Sequence, residues 1–345
     1  MVYEWLRKHK KIFFGVQIVY RVLKRDTEFI NTITNWGNEP DYVRIVHNGD
    51  KNSGSTLYII TEQGHGYGFF AEFRCLLEKL LFADLHGFIP YISWSKSYLY
   101  YDETINLETN NVFNYYFEMN NEVINPFESE NIIFSRGCDC EYIERKYDAL
   151  GYNQSWKFEQ QLAFMFNKYI AIKKDIISEF NESIDKMFMN NKVLGVHYRG
   201  TDFKIGYNNH PTAVRLEQTI KAIKEAMIGR EFKLIFLATD EKGVYDILYS
   251  EFGNKVVWFD DTYRGEDSKS IAFSDENREY HHYKLGKEVL RDAYTLSKCE
   301  GLIAGMSQVS FGARIFKISR NEVYSYCNII DNGINKNNKM FIAPK

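Results

Sequence analysis

The sequence predicts an α/β protein made of two Rossmann-like units, and three observations carry that expectation. Short apolar runs at 56–60, 193–196, 232–238, 256–259 and 301–305 alternate with stretches whose apolar residues recur at helical spacing, the pattern of parallel strands joined by crossover helices. Polar side chains follow directly on several of these runs, where open α/β sheets bind ligands. The length, 345 residues, suits two domains of roughly 100–200 residues each. A polar stretch at 187–192 marks the expected boundary and gives units 1–190 and 191–345.

Lys plus Arg number 43 and Asp plus Glu 46, a formal net charge of −3, so no global field directs the chain to nucleic acid or to an acidic surface. Any anion must be held by local groups. The 25 Tyr and 26 Phe are expected mostly in cores, with some rings free to face sugars. Five cysteines, at 75, 138, 140, 299 and 327, lack the paired spacing of a zinc site, and Cys138-Asp139-Cys140 reads as a reduced loop. No run of about 20 apolar residues is present to span a membrane as a helix. The start of the chain is basic and amphipathic: Arg7-Lys8-His9-Lys10-Lys11 is flanked by Trp5-Leu6 and Ile12-Phe13-Phe14, and Val16, Ile18, Val19 and Leu23 continue the apolar face. Gln17 and Arg21 interrupt a signal-peptide pattern. The segment is expected to pack on the body of the protein, with peripheral attachment to a membrane surface as the alternative.

In the first unit the strand 56–60 runs into Gln63-Gly64-His65-Gly66-Tyr67-Gly68, after which Phe73, Leu76, Leu77, Leu80 and Leu81 recur at helical spacing. Such a Gly-rich turn lets the backbone approach a ligand, and the helix start offers free N–H groups to an anion. The dinucleotide fingerprint GxGxxG is not met, since no third glycine falls in step. Residues 89–94 supply the next strand and complete a βαβ unit. Residues 111–118 are expected to form an aromatic-rich helix, with Tyr115 and Tyr116 buried against the sheet. Residues 154–189 read as one or two long helices.

The second unit opens on Val193-Leu194-Gly195-Val196, which hands over to His197, Arg199, Thr201 and Asp202. A guanidinium is planar and permanently charged, which suits a phosphate; an Arg–Asp pair closing a corner is the alternative. A helix at 211–230 follows, then strand 232–238 ending in Thr239-Asp240-Glu241, and strand 256–259 ending in Asp260-Asp261. A polar loop at 262–284, a helix at 286–297 carrying Asp292 and a strand at 301–305 complete the pattern. Ser307 then sits where the N-cap of the next helix belongs. A helix start carries about half a positive charge and unpaired N–H groups, so Ser307 and Gln308 offer a second anion seat beside Arg199.

Three stretches, His197-Tyr198-Arg199-Gly200-Thr201-Asp202, Leu237-Ala238-Thr239-Asp240, and Leu290-Arg291-Asp292 through to Ser307-Gln308-Val309, resemble in order and spacing the motifs of the α1,6-fucosyltransferase superfamily. That group includes core-fucosylating enzymes and Nod-factor fucosyltransferases, with protein O-fucosyltransferases more distant. The resemblance covers roughly residues 193–314, and the turn from Gly64 is similar to the family's Gly-rich loop. It implies a GT-B fold, two Rossmann-like domains facing across a cleft, with an acceptor-side first domain and a donor-binding second. It implies inverting, metal-independent transfer of fucose from GDP-fucose, the donor substrate, to a glycan acceptor, with no cofactor. Arg199 would contact the diphosphate, His197 and Asp292 the guanine end, and Ser307 and Gln308 phosphate or sugar. Asp240 and Gly66 fall in the same motifs and are carried as donor contacts.

The match is incomplete. Gly200 stands where core-fucosylating enzymes have a second Arg, Phe203 where they have Lys, and no Glu occurs between Asp202 and His210. The family's base therefore does not transfer, and His65, Glu72 and Asp202 are the candidates. Another nucleotide sugar on the same fold, or a non-catalytic glycan- or nucleotide-binding protein, are the competing readings. The end of the sequence about thirty residues past Arg314 leaves no room for an SH3-like domain, which points to a cytoplasmic bacterial enzyme acting on a surface or lipid-linked glycan, with the basic start able to bring it to the membrane.

Overall fold

The computed structural model describes residues 49–63, 66–105, 111–120, 124–135, 156–266 and 270–341, the backbone of Ile45–Val46, and single positions between 12 and 24. His65, Cys138, Cys140 and most of the basic start lie outside the described residues. Of that start's apolar positions, Ile12, Val16, Val19 and Leu23 are described and are exposed. No described helix is long and apolar enough to cross a membrane.

The first unit contains β1 (Ile45–Val46), β2 (Lys51–Ile60), α1 (Phe69–His86), β3 (Ile89–Ile92), β4 (Phe117–Met119) and β5 (Ser129–Phe134). Its sheet runs β1-β5-β2-β3; β2 is parallel to β3 and β5, and β1 is antiparallel to β5. The last four residues of β2 are buried, and Phe73, Leu76, Leu77 and Leu80 of α1 are fully covered. Gly87, at a φ of 69°, ends α1 in the left-handed conformation that glycine adopts without a steric penalty.

Residues 111–118 are not the helix expected. A single 3-10 turn, Val112–Tyr115, passes into β4, which pairs antiparallel with β6 (Ile170–Ile172). Asn111 explains the change, since its Oδ1 accepts the N–H groups of Trp94 and Phe113 while its Nδ2 donates to the Ile92 carbonyl at 2.7 Å. Local bonds of this kind compete with a helix start. Tyr115 and Tyr116 are buried. The long helical stretch expected next is divided by β6 into α2 (Trp156–Tyr169) and α3 (Lys174–Phe188).

The second unit comprises β7 (Val193–Tyr198), α4 (Leu216–Met227), β8 (Leu234–Thr239), α5 (Val244–Phe252), β9 (Val256–Val257), α6 (His281–Lys298), β10 (Gly301–Gly305), α7 (Gln308–Ser319) and β11 (Tyr326–Ile330). The five strands are all parallel, in the order β11-β10-β7-β8-β9. Chain direction reverses its sideways progress between β7 and β10, which is the topological switch point of a Rossmann-like sheet. Every residue of β7 is buried, as a strand covered on both faces requires. Compared with expectation, α4 is shorter, α6 starts earlier and β11 is an addition.

The two sheets share a core. One apolar cluster extends from Tyr58 and Phe73 through Phe166 and Phe180 to Leu296 and Phe316. Two glycines make the contact close. A β-carbon on Gly312 of α7 would lie 2.2 Å from the ring of Phe70 in α1, and one on Gly286 of α6 would lie 2.2 Å from the Tyr116 hydroxyl. Arg314 of α7 and Glu159 of α2 add a largely buried ion pair at 2.7 Å. The fold is therefore α/β with two Rossmann-like sheets joined beneath a cleft. Because the Phe70 ring is buried on all sides, Gly312→Ala is expected to cost about 1–3 kcal/mol through overpacking, read as a lower thermal midpoint; an unchanged midpoint would show that the two helices can separate freely.

Candidate active site at the switch point

β7 and β10 end level, with His197 opposite Ala304, and the segments that leave them diverge. The crevice opens into a cavity of about 450 Å3, within the roughly 300–1,000 Å3 range of small-molecule sites. His197, Arg199, Asp202, Asp240, Asp292, Ser307 and Gln308 line it from the second unit, and Gly66 lines it from the first. Gly66 has a φ of 121°, a backbone conformation that favours glycine.

Arg199 is held from two sides. Its Nη2 donates to Asp202 Oδ1 at 2.6 Å, and its Nη1 donates to Asp240 Oδ2. Burial works against its charge, but Asp240 and Asp202 outweigh that and hold its pKa above the ordinary value. Asp240 does more than pair with it: Oδ1 accepts the Gly200 N–H at 2.8 Å and Oδ2 accepts the Thr201 hydroxyl at 2.7 Å. Thr201, a β-branched residue, sits at a φ of 37°, a strained conformation costing about 1–3 kcal/mol that persists only where surroundings fix it. With both oxygens committed, Asp240 is a positioning residue for the loop that carries Arg199. Asp202 shares its Oδ1 between Arg199 and Thr201. Gly200 leaves room for Glu241, whose Oε2 would be 2.0 Å from a β-carbon at that position; no larger residue fits there beside this Glu.

Ser307 caps α7, accepting the Ser310 N–H at 3.1 Å, and its hydroxyl also meets His197 Nδ1 at 3.1 Å. This bond ties the ends of β7 and β10 across the switch point. His197 is buried, which lowers its pKa to about 4 although the nearby Asp240 carboxylate pulls the other way. It is therefore neutral at pH 7, and its ring contributes hydrogen bonding without charge. Gln308 follows on the first turn, its Oε1 buried without a partner.

Asp292 projects from α6 into the same cavity. It is 7% exposed and its Oδ1 is buried without a hydrogen-bond partner, an arrangement that costs about 1–3 kcal/mol unless a ligand supplies the donor. Burial raises its pKa to about 7, against the opposing pull of Arg291 and Arg264. Glu72 does not line the cavity. It is fully buried below the Gly-rich turn, where Oε2 accepts the Gln63 N–H at 2.8 Å, and burial lifts its pKa to about 7. That position removes it from the candidate bases and makes it a support of the turn. Among the described residues no group of three or more His, Cys, Asp or Glu is placed to hold a metal ion.

The cavity also takes in Phe203, His210, Phe273, Glu288 and Phe341, none of which stands out in sequence. His210 and Phe341 are 131 positions apart, and only the tertiary path of the last residues unites them; the short aromatic spacing from Phe203 to Tyr207 gives at most a weak hint. A carboxyl whose pKa is raised on folding contributes stability fully present below its unfolded value, here about 3.8, and loses it as the pH rises to about 7. Asp292→Asn is therefore expected to raise the ligand-free melting temperature at pH 8 by roughly 2–6 °C and to change it little at pH 4, measured by calorimetry at both values. A lowered midpoint at pH 8 would mean that the carboxylate is satisfied in the folded chain.

No family model matches this chain, and no curated protein sequence matches it. Its fold is similar to several solved structures. One is the NodZ α1,6-fucosyltransferase soaked with GDP-fucose, at 19% identity and a TM-score of 0.46 over 76% of this chain and 92% of that one. A second is the fucosyltransferase NodZ from Bradyrhizobium, at 18% identity and a TM-score of 0.45 over 75% of this chain and 93% of that one. A third is POFUT1 in complex with GDP-fucose, at 10% identity and a TM-score of 0.42 over 81% of this chain and 98% of that one.

Proposed function

We propose that the protein is an inverting glycosyltransferase that takes fucose from GDP-fucose and passes it to a glycan, without a metal ion. The observation that carries this reading is the convergence, in one cavity, of a fixed guanidinium, a helix start and a buried carboxyl lacking a donor. Each of the three suits one part of a GDP-sugar. Of the five guanidinium N–H groups of Arg199, two go to carboxylates, and the others are available to phosphate oxygens. The first turn of α7 adds backbone N–H groups at the other side of the crevice. Asp292 can accept the two adjacent N–H donors of guanine, a pair that uracil and adenine do not present. A site built on such a pair rejects ligands that leave its acceptors unpaired.

The chemistry follows from where charge grows. The bond between the anomeric carbon and the phosphate oxygen breaks, leaving negative charge on GDP while the sugar becomes cation-like. Arg199 and the α7 start are preorganised donors for that leaving oxygen, and loss of one such donor costs about 10²–10³ in rate. The acceptor hydroxyl forms the new bond from the opposite face and gives up its proton, with Asp202 at the cavity wall as the described candidate to receive it. A glycan-binding module would have no use for a diphosphate seat, which disfavours the non-catalytic reading.

Titration calorimetry of the whole chain is expected to show GDP binding that is indifferent to EDTA, with UDP and ADP at least tenfold weaker. Asp292→Asn should reduce that preference by weakening GDP more than UDP; equal losses for both would remove its role in base selection. Arg199→Ala should slow release of GDP from GDP-fucose by at least about 10²-fold in a chain that remains folded though with a lowered thermal midpoint, and near-normal turnover in this variant would refute the proposed function.

A further inference from the structure

The last described residues form a strap across the loop that follows Asp202. Asn208 donates its N–H to the Lys339 carbonyl at 2.7 Å, Asn209 to Asn335 at 2.9 Å and Thr212 to Gly333 at 2.8 Å, while Asn335 donates back to His210 at 2.8 Å. Side chains add to these bonds: Asn337 Nδ2 donates to the Gly206 carbonyl at 2.8 Å and Lys339 Nζ to the Ile205 carbonyl at 3.0 Å. So many bonds on one short loop fix its path, and they carry the chain to Phe341. There the ring meets Tyr207 edge-on at 5.3 Å, with His210 and Phe273 each at 6.2 Å. Phe341, His210 and Phe273 all line the cavity that contains Arg199 and Asp202.

We propose that this aromatic wall, formed by Phe341 with His210 and Phe273, is the subsite for a ring of the acceptor sugar. The inference rests on the donor assignment above, because Arg199, the α7 start and Asp292 then account for diphosphate and base and leave the wall to a sugar ring. Aromatic faces carry partial negative charge, and the C–H face of a pyranose carries the complementary charge, so the grouped rings suit a neutral sugar. Position supports the same occupant. His210 reaches the wall from the segment that begins with Asp202 and Phe203, and the Phe203 ring lies 5.9 Å from the Arg199 guanidinium in the same cavity. A sugar on the wall would thus share the cavity with the residue placed to take its proton and with the group that stabilises the leaving phosphate. Phe341 becomes an acceptor-binding residue, and the strap from Gly333 to Lys339 becomes what positions it.

Saturation-transfer NMR on the full chain loaded with GDP tests this, with methyl β-galactoside, methyl α-mannoside and chitobiose as probes. The wild type and Phe341→Tyr, which keeps the ring, are expected to transfer saturation to at least one of the three, and Phe341→Ala to do so at least fivefold less. GDP affinity, titrated on the same samples, should agree within twofold among the three proteins. A signal undiminished in Phe341→Ala, or no signal from any probe with the wild type, would overturn the subsite. A tenfold loss of GDP affinity in Phe341→Ala would overturn it as well, by giving the wall to the nucleotide. Failure of GDP to bind the wild type would instead remove the donor assignment itself, so the two failures are told apart on one set of samples.

Discussion

The site depends first on one carboxylate. Asp240, at the end of β8, reaches across to the loop leaving β7 and binds three successive residues: the guanidinium of Arg199, the N–H of Gly200 and the hydroxyl of Thr201. A buried carboxylate without partners would be costly, and a loop with Thr201 at positive φ would relax if nothing held it. Each defect is the remedy of the other. The result is a cation fixed at the switch point before any ligand arrives, with its direction set by neighbouring strands and not by its own flexible stem. The hydrogen bond between His197 and Ser307 extends this order to the start of α7, so that the two ends of the crevice are tied together by a neutral contact beside the charged ones.

Much of this was readable in the chain itself. Apolar runs that stop abruptly at His197, Thr239 and Gly305 mark strand ends, and strand ends of a parallel sheet converge on one edge, so residues far apart in sequence were expected together and lie together. Ser307 was legible as a cap because capping is a local matter of one hydroxyl and one N–H. Tertiary decisions were not legible. Residues 111–118 have a helix-compatible pattern, and only the reach of Asn111 to β3 turns them into a tight turn and a strand. Glu72 looks like a base beside a Gly-rich turn, but helical geometry sends its side chain under the turn and away from the cavity. The wall around Phe341 is set by a strap whose bonds are mostly backbone to backbone, and these leave almost no trace in side-chain identity.

The site also runs against stability. Asp292 is buried with Oδ1 unpartnered, and its raised pKa is the mark of a carboxyl held there at a cost to the folded chain. His197 is held neutral by the same burial, and its ring is bonded to the Ser307 hydroxyl. Glu72 shows the third outcome, a carboxyl buried to brace a turn with one backbone bond and one bare oxygen. Three titratable groups displaced by the same cause therefore act differently, and the difference lies in what each faces: a cavity, a cap or a loop.

The apolar core that passes without interruption from one sheet to the other has a kinetic consequence. Paired domains with a small polar interface open and close as rigid bodies, whereas here Phe70 against Gly312 and Tyr116 against Gly286 lock the helices at the base of the cleft. A hinge would have to break that packing at each cycle. Closure about a hinge at the base of the cleft is therefore opposed by packing, and the cleft keeps its width unless that contact gives way.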